Sequence, residues 1–284
     1  MIKDWLNTYN PGNEQEAKDA LREIMQEIAL SGLYRSGFFE KAAFYGGTAL
    51  RIFYGLDRFS EDLDFSLLKE DTSFSIAKYE NAIIDEFASL GMNVSIKEKN
   101  KTADSNINSA FLKSETVWKE LILEGIIPQN GLKQMANIKI KLEIDTKPPL
   151  GFDTEEKLLL KPFSFYVKCF SISDLFAGKM HALLFRRWGT NVKGRDWYDM
   201  EWYIRRDTKL NLSHFAVRAM DSGDWKKNQI SETEFLELLN RRIDTVNMDY
   251  VKRDIRRFIK TPSVLDIWNK NYFKDLIKHL QFTT

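Results

Sequence analysis

Helical spacing is the first clear signal along the chain. Residues 14–31 place Ala17, Ala20, Leu21, Ile24 and Ile28 on one face, with Asn13 in the N-cap position behind Pro11-Gly12. "KAAFY" (41–45) then reads as a short buried strand, broken by Gly46-Gly47. The helical pattern returns from Thr48 to Tyr54, and Gly55 supplies its stop. "DLDFSLL" (62–68) changes the period to two. Asp62, Asp64 and Ser66 fall on one face, and Leu63, Phe65 and Leu67 on the other. A helix over 75–90 closes at Gly91.

Residues 94–145 read as strand-rich around a polar "KEKNKTADSN" turn. "NIKIKLEIDT" is the clearest strand, with Ile138, Ile140, Leu142 and Ile144 on one face and Lys139, Lys141, Glu143 and Asp145 on the other. Pro148-Pro149 ends it, because proline cannot donate to a ladder. "FSFYVKCF" predicts one more strand. From about Ser171 the pattern turns helical, over 173–187, 194–206, 213–221, 232–241, 247–259 and 266–280, with Pro262 the only proline in that stretch. The expected architecture is α/β (α+β): a mixed sheet with flanking helices over residues 1–170, then a helical domain over 171–284, with the seam near 168–172.

Composition narrows the classes. A chain of 284 residues, 43% apolar and 29% charged, can bury a sizeable core and is not dominated by disorder. The net charge of +1 provides no global field for nucleic acid or membrane, though a local basic groove is compatible with it. Cys169 is the single cysteine, so no internal disulfide can form. Three histidines without a cysteine partner nearby do not suggest a zinc site. The first residues are too polar for a signal peptide and no run of 18 apolar residues occurs, so a cytoplasmic protein is expected, with no membrane partner.

The chemistry concentrates at residues 44–68. Strand alternation sets the Asp62 and Asp64 carboxylates side by side, where each raises the other's pKa unless a cation neutralises them. A hard divalent ion, Mg²⁺ or Mn²⁺, suits such a pair, since it takes oxygen ligands from one or two carboxylates and from substrate phosphates. A third carboxylate from a neighbouring strand would complete a metal clamp. Asp145 has the right facing, with Glu143 the substitute. Gly46-Gly47-Thr48, at the turn from strand to helix, would let backbone N–H groups approach a phosphate. Arg58 and Ser60, just before the acidic pair, are candidates for a phosphate contact.

With Gly47-Thr48 followed by Asp62-Leu63-Asp64 inside "RFSEDLDF", the chain resembles the AbiEii/AbiGii-type toxins of the nucleotidyltransferase superfamily. The likeness extends to "DLFAGKMHALLFRR", where Lys179 matches the family's lysine, and to "GRDWYDMEWY", where Asp196 and Asp199 match its last acidic motif. It spans about residues 40–205. It implies a nucleotidyltransferase-like fold whose helical half completes the active-site cleft. It also implies an NTP bound with a metal ion, Lys179 on the triphosphate, Asp199 in the catalytic set, and a cognate antitoxin from a phage-defence (abortive infection) system. Some relatives modify tRNA acceptor ends; the acceptor here is not implied.

Other readings stand beside these. Asp196 and Asp199 can pair with Arg186, Arg187, Arg195 or Arg205 in a structural network, and His181 fits a structural role. The basic clusters Arg186-Arg187, Arg205-Arg206, Arg241-Arg242 and "KRDIRR" can line an RNA groove or be solvated helix faces. The alternative functions are a small-molecule nucleotidyltransferase and a non-catalytic nucleotide- or RNA-binding module.

Overall fold

The computed structural model describes residues 1–98, 116–126, 138–186 and 192–283. The chain opens with α1 (Ile2–Thr8) and α2 (Glu14–Arg35), followed by β1 (Ala42–Tyr45), α3 (Gly46–Tyr54), β2 (Asp62–Leu67) and α4 (Ala77–Ser89). Five strands come next: β3 (Met92–Glu98), β4 (Thr116–Ile126), β5 (Lys139–Asp145), β6 (Thr154–Leu159) and β7 (Phe165–Phe170). The remainder is α5 (Ile172–Phe185), α6 (Gly194–Arg205), β8 (Lys209–Asn211), α7 (Leu212–Asp221), α8 (Glu232–Thr245), α9 (Met248–Ile255), α10 (Lys270–Leu276) and β9 (Gln281–Thr283). Strands β1 to β7 form one mixed sheet in the order β3-β4-β5-β2-β1-β7-β6. The β2–β5 and β1–β7 pairs are parallel and the other pairs antiparallel.

Alternation along these strands assigns side chains to two cores. Ala42 and Phe44 of β1, Leu63, Phe65 and Leu67 of β2, and Ile140, Leu142 and Ile144 of β5 pack with α2, whose residues from Ile24 to Leu33 are all buried. Asn13 caps α2 as expected, its side chain accepting the Glu16 N–H. On the opposite face, Ala43 joins a second core built by Phe176, Met180, Trp197, Met200, Tyr203, Phe215 and Trp268 of the helical half. The faces carrying Asp62, Asp64, Lys141, Glu143 and Asp145 point the same way as Ala43. The acidic residues therefore look toward the helices.

Several elements differ from the sequence expectation. The segment 266–280 is not one helix. Asn269 adopts extended backbone and caps a new helix by accepting the Tyr272 N–H, so only Lys270–Leu276 is α-helical. The helix expected over 247–259 ends at Ile255 and tightens into a 3₁₀ turn over Arg256–Phe258. β6 is an edge strand of charged and apolar residues without clean alternation. β8 and β9 pair across about a quarter of the chain, which no local pattern announces. The short α1, whose Ile2, Trp5 and Leu6 are buried, was also silent. The "KEKNKTADSN" turn, beyond its first two residues, lies outside the described residues, as do Arg187 and Trp188. Among the described residues no helix is long and apolar enough to cross a membrane.

Candidate active site

The site is built on the first turn of α3 and the adjacent ends of β1, β2 and β5. β1 delivers Tyr45 opposite Asp64, and the chain then turns straight into α3 at Gly46. Gly46 has a φ of +83°, and a Cβ there would collide with the Asp64 carboxylate. Both facts require glycine. At Gly47 a Cβ would lie 2.8 Å from Arg58 Nη2 and 2.9 Å from Ser60 Oγ. The glycine pair thus makes room for protein groups, Asp64 on one side and the Arg58–Ser60 loop on the other. The start of α3 has no side-chain cap, so its first N–H groups keep the anion-binding character of an open helix N-terminus. We expect Gly46→Ala to destabilise the fold by about 1–3 kcal/mol and to displace Asp64, measured by denaturation and by nucleotide binding.

Thr48 and Ser60 hold this turn to β2. The buried Thr48 hydroxyl donates to the Asp62 carbonyl and lies 2.9 Å from Ser60 Oγ, while Gln26 Nε2 donates to the Ser60 carbonyl at 3.1 Å. These side chains fix the entry of the acidic strand, so the Thr48 hydroxyl is committed to protein.

The register between β2 and β5 decides which third carboxylate stands beside the pair. Asp62 faces Lys141, Asp64 faces Glu143, and Asp145 falls opposite Ser66. Glu143 is therefore the neighbour of Asp64. Asp145 sits a step farther along, where its Oδ1 accepts the Lys147 N–H at 3.0 Å. Lys141 Nζ reaches Glu143 Oε1 at 2.7 Å.

Crowded acid on a largely buried face is costly. Burial, then Glu143 and Asp62, push the Asp64 carboxyl up to about 8, against the opposing fields of Lys179 and Arg186. Asp62 and Glu143 are also raised, chiefly by burial and despite Lys141. This donor set fits a hard divalent cation. Among the described residues no three His, Cys, Asp or Glu side chains already converge on one metal position. An ion here would rest on Asp62 and Asp64 and draw its other ligands from substrate oxygens and water.

Opposite the acids stands a second charge cluster. Arg58 grips Asp199 with two parallel bonds, Nε to Oδ1 and Nη2 to Oδ2, both 2.6 Å, and its Nη1 donates to the Phe59 carbonyl. Arg58 is 1% exposed and Asp199 fully buried. Lys179 Nζ sits 2.9 Å from Asp199 Oδ2 and 3.7 Å from Asp196 Oδ1. Burial alone would raise Asp199, but Arg58 and Lys179 together hold it below the ordinary carboxylate value. Asp196 also lies 3.5 Å from Arg186.

The structure therefore gathers Gly46, Gly47, Thr48, Ser60, Asp62, Asp64 and Glu143 at one place, with Lys179 across from them. Arg58 and Asp199 are close by, buried in their mutual ion pair, with Lys179 also on Asp199. His181 is committed to Ser222 Oγ at 3.0 Å. Sequence reasoning did not single out Tyr45, whose phenol lies in the field of Asp64, Asp145 and Glu143, although it immediately precedes the glycines. It also passed over Lys193, and it considered Arg195 only as a partner for Asp196 and Asp199, whereas the charges of both reach Asp62.

The family model for the AbiEii nucleotidyl transferase toxin of type IV toxin–antitoxin systems matches residues 28–275. The chain belongs to that family. Membership brings nucleotidyltransferase chemistry, a nucleotide substrate and an antitoxin partner. Among solved structures, the fold is similar to MenT4, a nucleotidyltransferase toxin from Mycobacterium tuberculosis H37Rv, with TM-score 0.55 and 13% identity over 98% of both chains. It is also similar to JHP933 from Helicobacter pylori, with TM-score 0.52 and 18% identity over 94% of this chain and 90% of that one. No curated protein sequence matches it.

Proposed function

We propose that this toxin uses Mg²⁺ or Mn²⁺ to transfer a nucleotidyl group from an NTP to an acceptor hydroxyl on RNA, such as tRNA, in the cytoplasm. The observation that carries the reading is the Asp64 carboxylate lying against Gly46, flanked by Asp62 and Glu143 and facing Lys179 across the cleft. A bound ion would supply charge neutralisation at the phosphates and would be held by Asp62 and Asp64.

The chain's own groups supply the rest. The open first turn of α3 receives phosphate oxygens. Lys179, held in place by Asp199, opposes the charge that develops as pyrophosphate leaves. The acceptor oxygen bonds to the α-phosphorus, the bond to the β-phosphate oxygen breaks, and the hydroxyl proton passes to the Glu143 carboxylate, with Asp145 the substitute base. Arg58 and Asp199 act as positioning residues. The cations Lys193 and Arg195 beside Asp62 suit an RNA phosphate backbone at the cleft mouth.

Lys179 gives the first test. Calorimetry should show NTP binding that requires Mg²⁺ or Mn²⁺ and weakens about tenfold or more in Lys179→Ala. Equal affinity in the two proteins would return Lys179 to a structural counter-ion for Asp199.

A further inference from the structure

Two side chains of α7 carry buried polar atoms that find no partner among the described residues. The Nε of Arg218, on α7, makes no hydrogen bond, and neither ring nitrogen of His214, one turn earlier, makes one. His214 is 1% exposed. Buried polar atoms are nearly always satisfied, so such a pair points to a group that arrives from outside the chain. His214 meets Phe152 and Phe170 edge-on at 6.0 and 6.2 Å. Burial, and then the charge of Arg218, drive its imidazole down to about 3. At working pH Arg218 carries the only charge of the two.

The location of Arg218 is firmly set. Asn211 caps α7 by accepting the His214 N–H at 3.0 Å and donates to Asp174 Oδ1 at 2.7 Å. Asp174 in turn accepts from the Ser171 hydroxyl at 2.8 Å and the Asp153 N–H at 2.7 Å. The start of α7 is thereby locked to the start of α5. The Arg218 guanidinium lies over Gly178 of α5, where a Cβ would be in van der Waals contact with it, 3.8 Å from both Cζ and Nε. The guanidinium rests on α5 one residue before Lys179. Its field reaches the Tyr45 phenol, which also feels Asp64, Asp145 and Glu143.

An arginine with no carboxylate partner among the described residues, set next to the lysine that faces the phosphates, is complementary to a polyanion. We infer that Arg218 is a second cation for the triphosphate tail, and that it supplies its guanidinium N–H groups to the β- or γ-phosphate. The inference rests on the NTP reading for the identity of the ligand, and on the orphaned Nε for the existence of the site.

The test titrates wild type, Arg218→Met and Arg218→Lys by calorimetry, using inorganic tripolyphosphate, each NTP with Mg²⁺ and a short RNA, with thermal melts alongside. In Arg218→Met, which keeps the apolar stem, affinity for tripolyphosphate and NTP should fall about tenfold to a hundredfold. Arg218→Lys should recover part of it. The melting temperature should not fall, because no protein group loses a partner. Unchanged affinity for both anions in Arg218→Met overturns the inference. So does a loss confined to RNA, or one that tracks a lowered melting temperature and is not relieved by lysine. Arg218-dependent binding of tripolyphosphate without NTP binding keeps the anion site and removes the nucleotide reading. A wild type that binds neither overturns both.

Discussion

Asp199→Ala is expected to cost about 3–5 kcal/mol of stability, the range for removing one partner of a buried ion pair. The reason is what remains. Arg58 would keep its guanidinium in a fully buried position with two donors unpaired, and Lys179 would lose its nearest carboxylate. Replacing both partners by apolar residues, Arg58→Met with Asp199→Leu, should recover most of that loss, because no buried charge is then orphaned. Chemical denaturation of the two single variants and the double variant measures the coupling directly. Activity should not return with stability in the double variant, since Lys179 has lost the carboxylate that orients it. Additive single effects would mean that the pair is not the stabilising unit described above.

Asp64→Asn should abolish transfer, by about a thousandfold or more, while leaving the metal-free protein more stable at alkaline pH. The sign follows from the raised carboxyl. Asp64 keeps its proton up to about pH 8 when folded, whereas an unfolded aspartate has released it by about pH 4. Between those values the folded state binds the extra proton, so wild-type stability falls as pH rises through the window. Asparagine has no such dependence. The stability difference should therefore grow from near zero below about pH 4 to about 5 kcal/mol in favour of the variant above pH 8. Adding Mg²⁺ or Mn²⁺ should stabilise wild type at high pH and leave Asp64→Asn unmoved. A difference independent of pH would contradict the crowding of the three acids.

The parts of this site that were legible in the sequence are those governed by local period. Alternation along "DLDFSLL" and "NIKIKLEIDT" is enough to face Asp62, Asp64, Glu143 and Asp145 away from the apolar core, and the structure has them so. The choice between Glu143 and Asp145 depends on the register of two strands about eighty residues apart, and no local pattern encodes register. The Arg58–Asp199 pair closes over 141 residues. From sequence alone, Arg58 looked like a phosphate ligand because it precedes the acids. Tertiary packing sends it inward instead. Arg218 carried no signal, since α7 is brought beside the site by long-range packing on α5 and by the Asn211–Asp174 lock. The break at Asn269 was written in the chain as a capping residue, but the apolar spacing across 266–280 masked it.

The reading of the site as a nucleotidyltransferase centre is exposed to one experiment above others. Purified wild type and Asp64→Asn are incubated with each α-labelled NTP, Mg²⁺ or Mn²⁺ and total RNA, and the RNA is resolved on a denaturing gel. Label should pass to an RNA species with wild type, only when a divalent ion is present, and should be absent with a folded Asp64→Asn protein. Equal labelling by both proteins, or transfer that persists in a chelator, would contradict the assignment of Asp62 and Asp64.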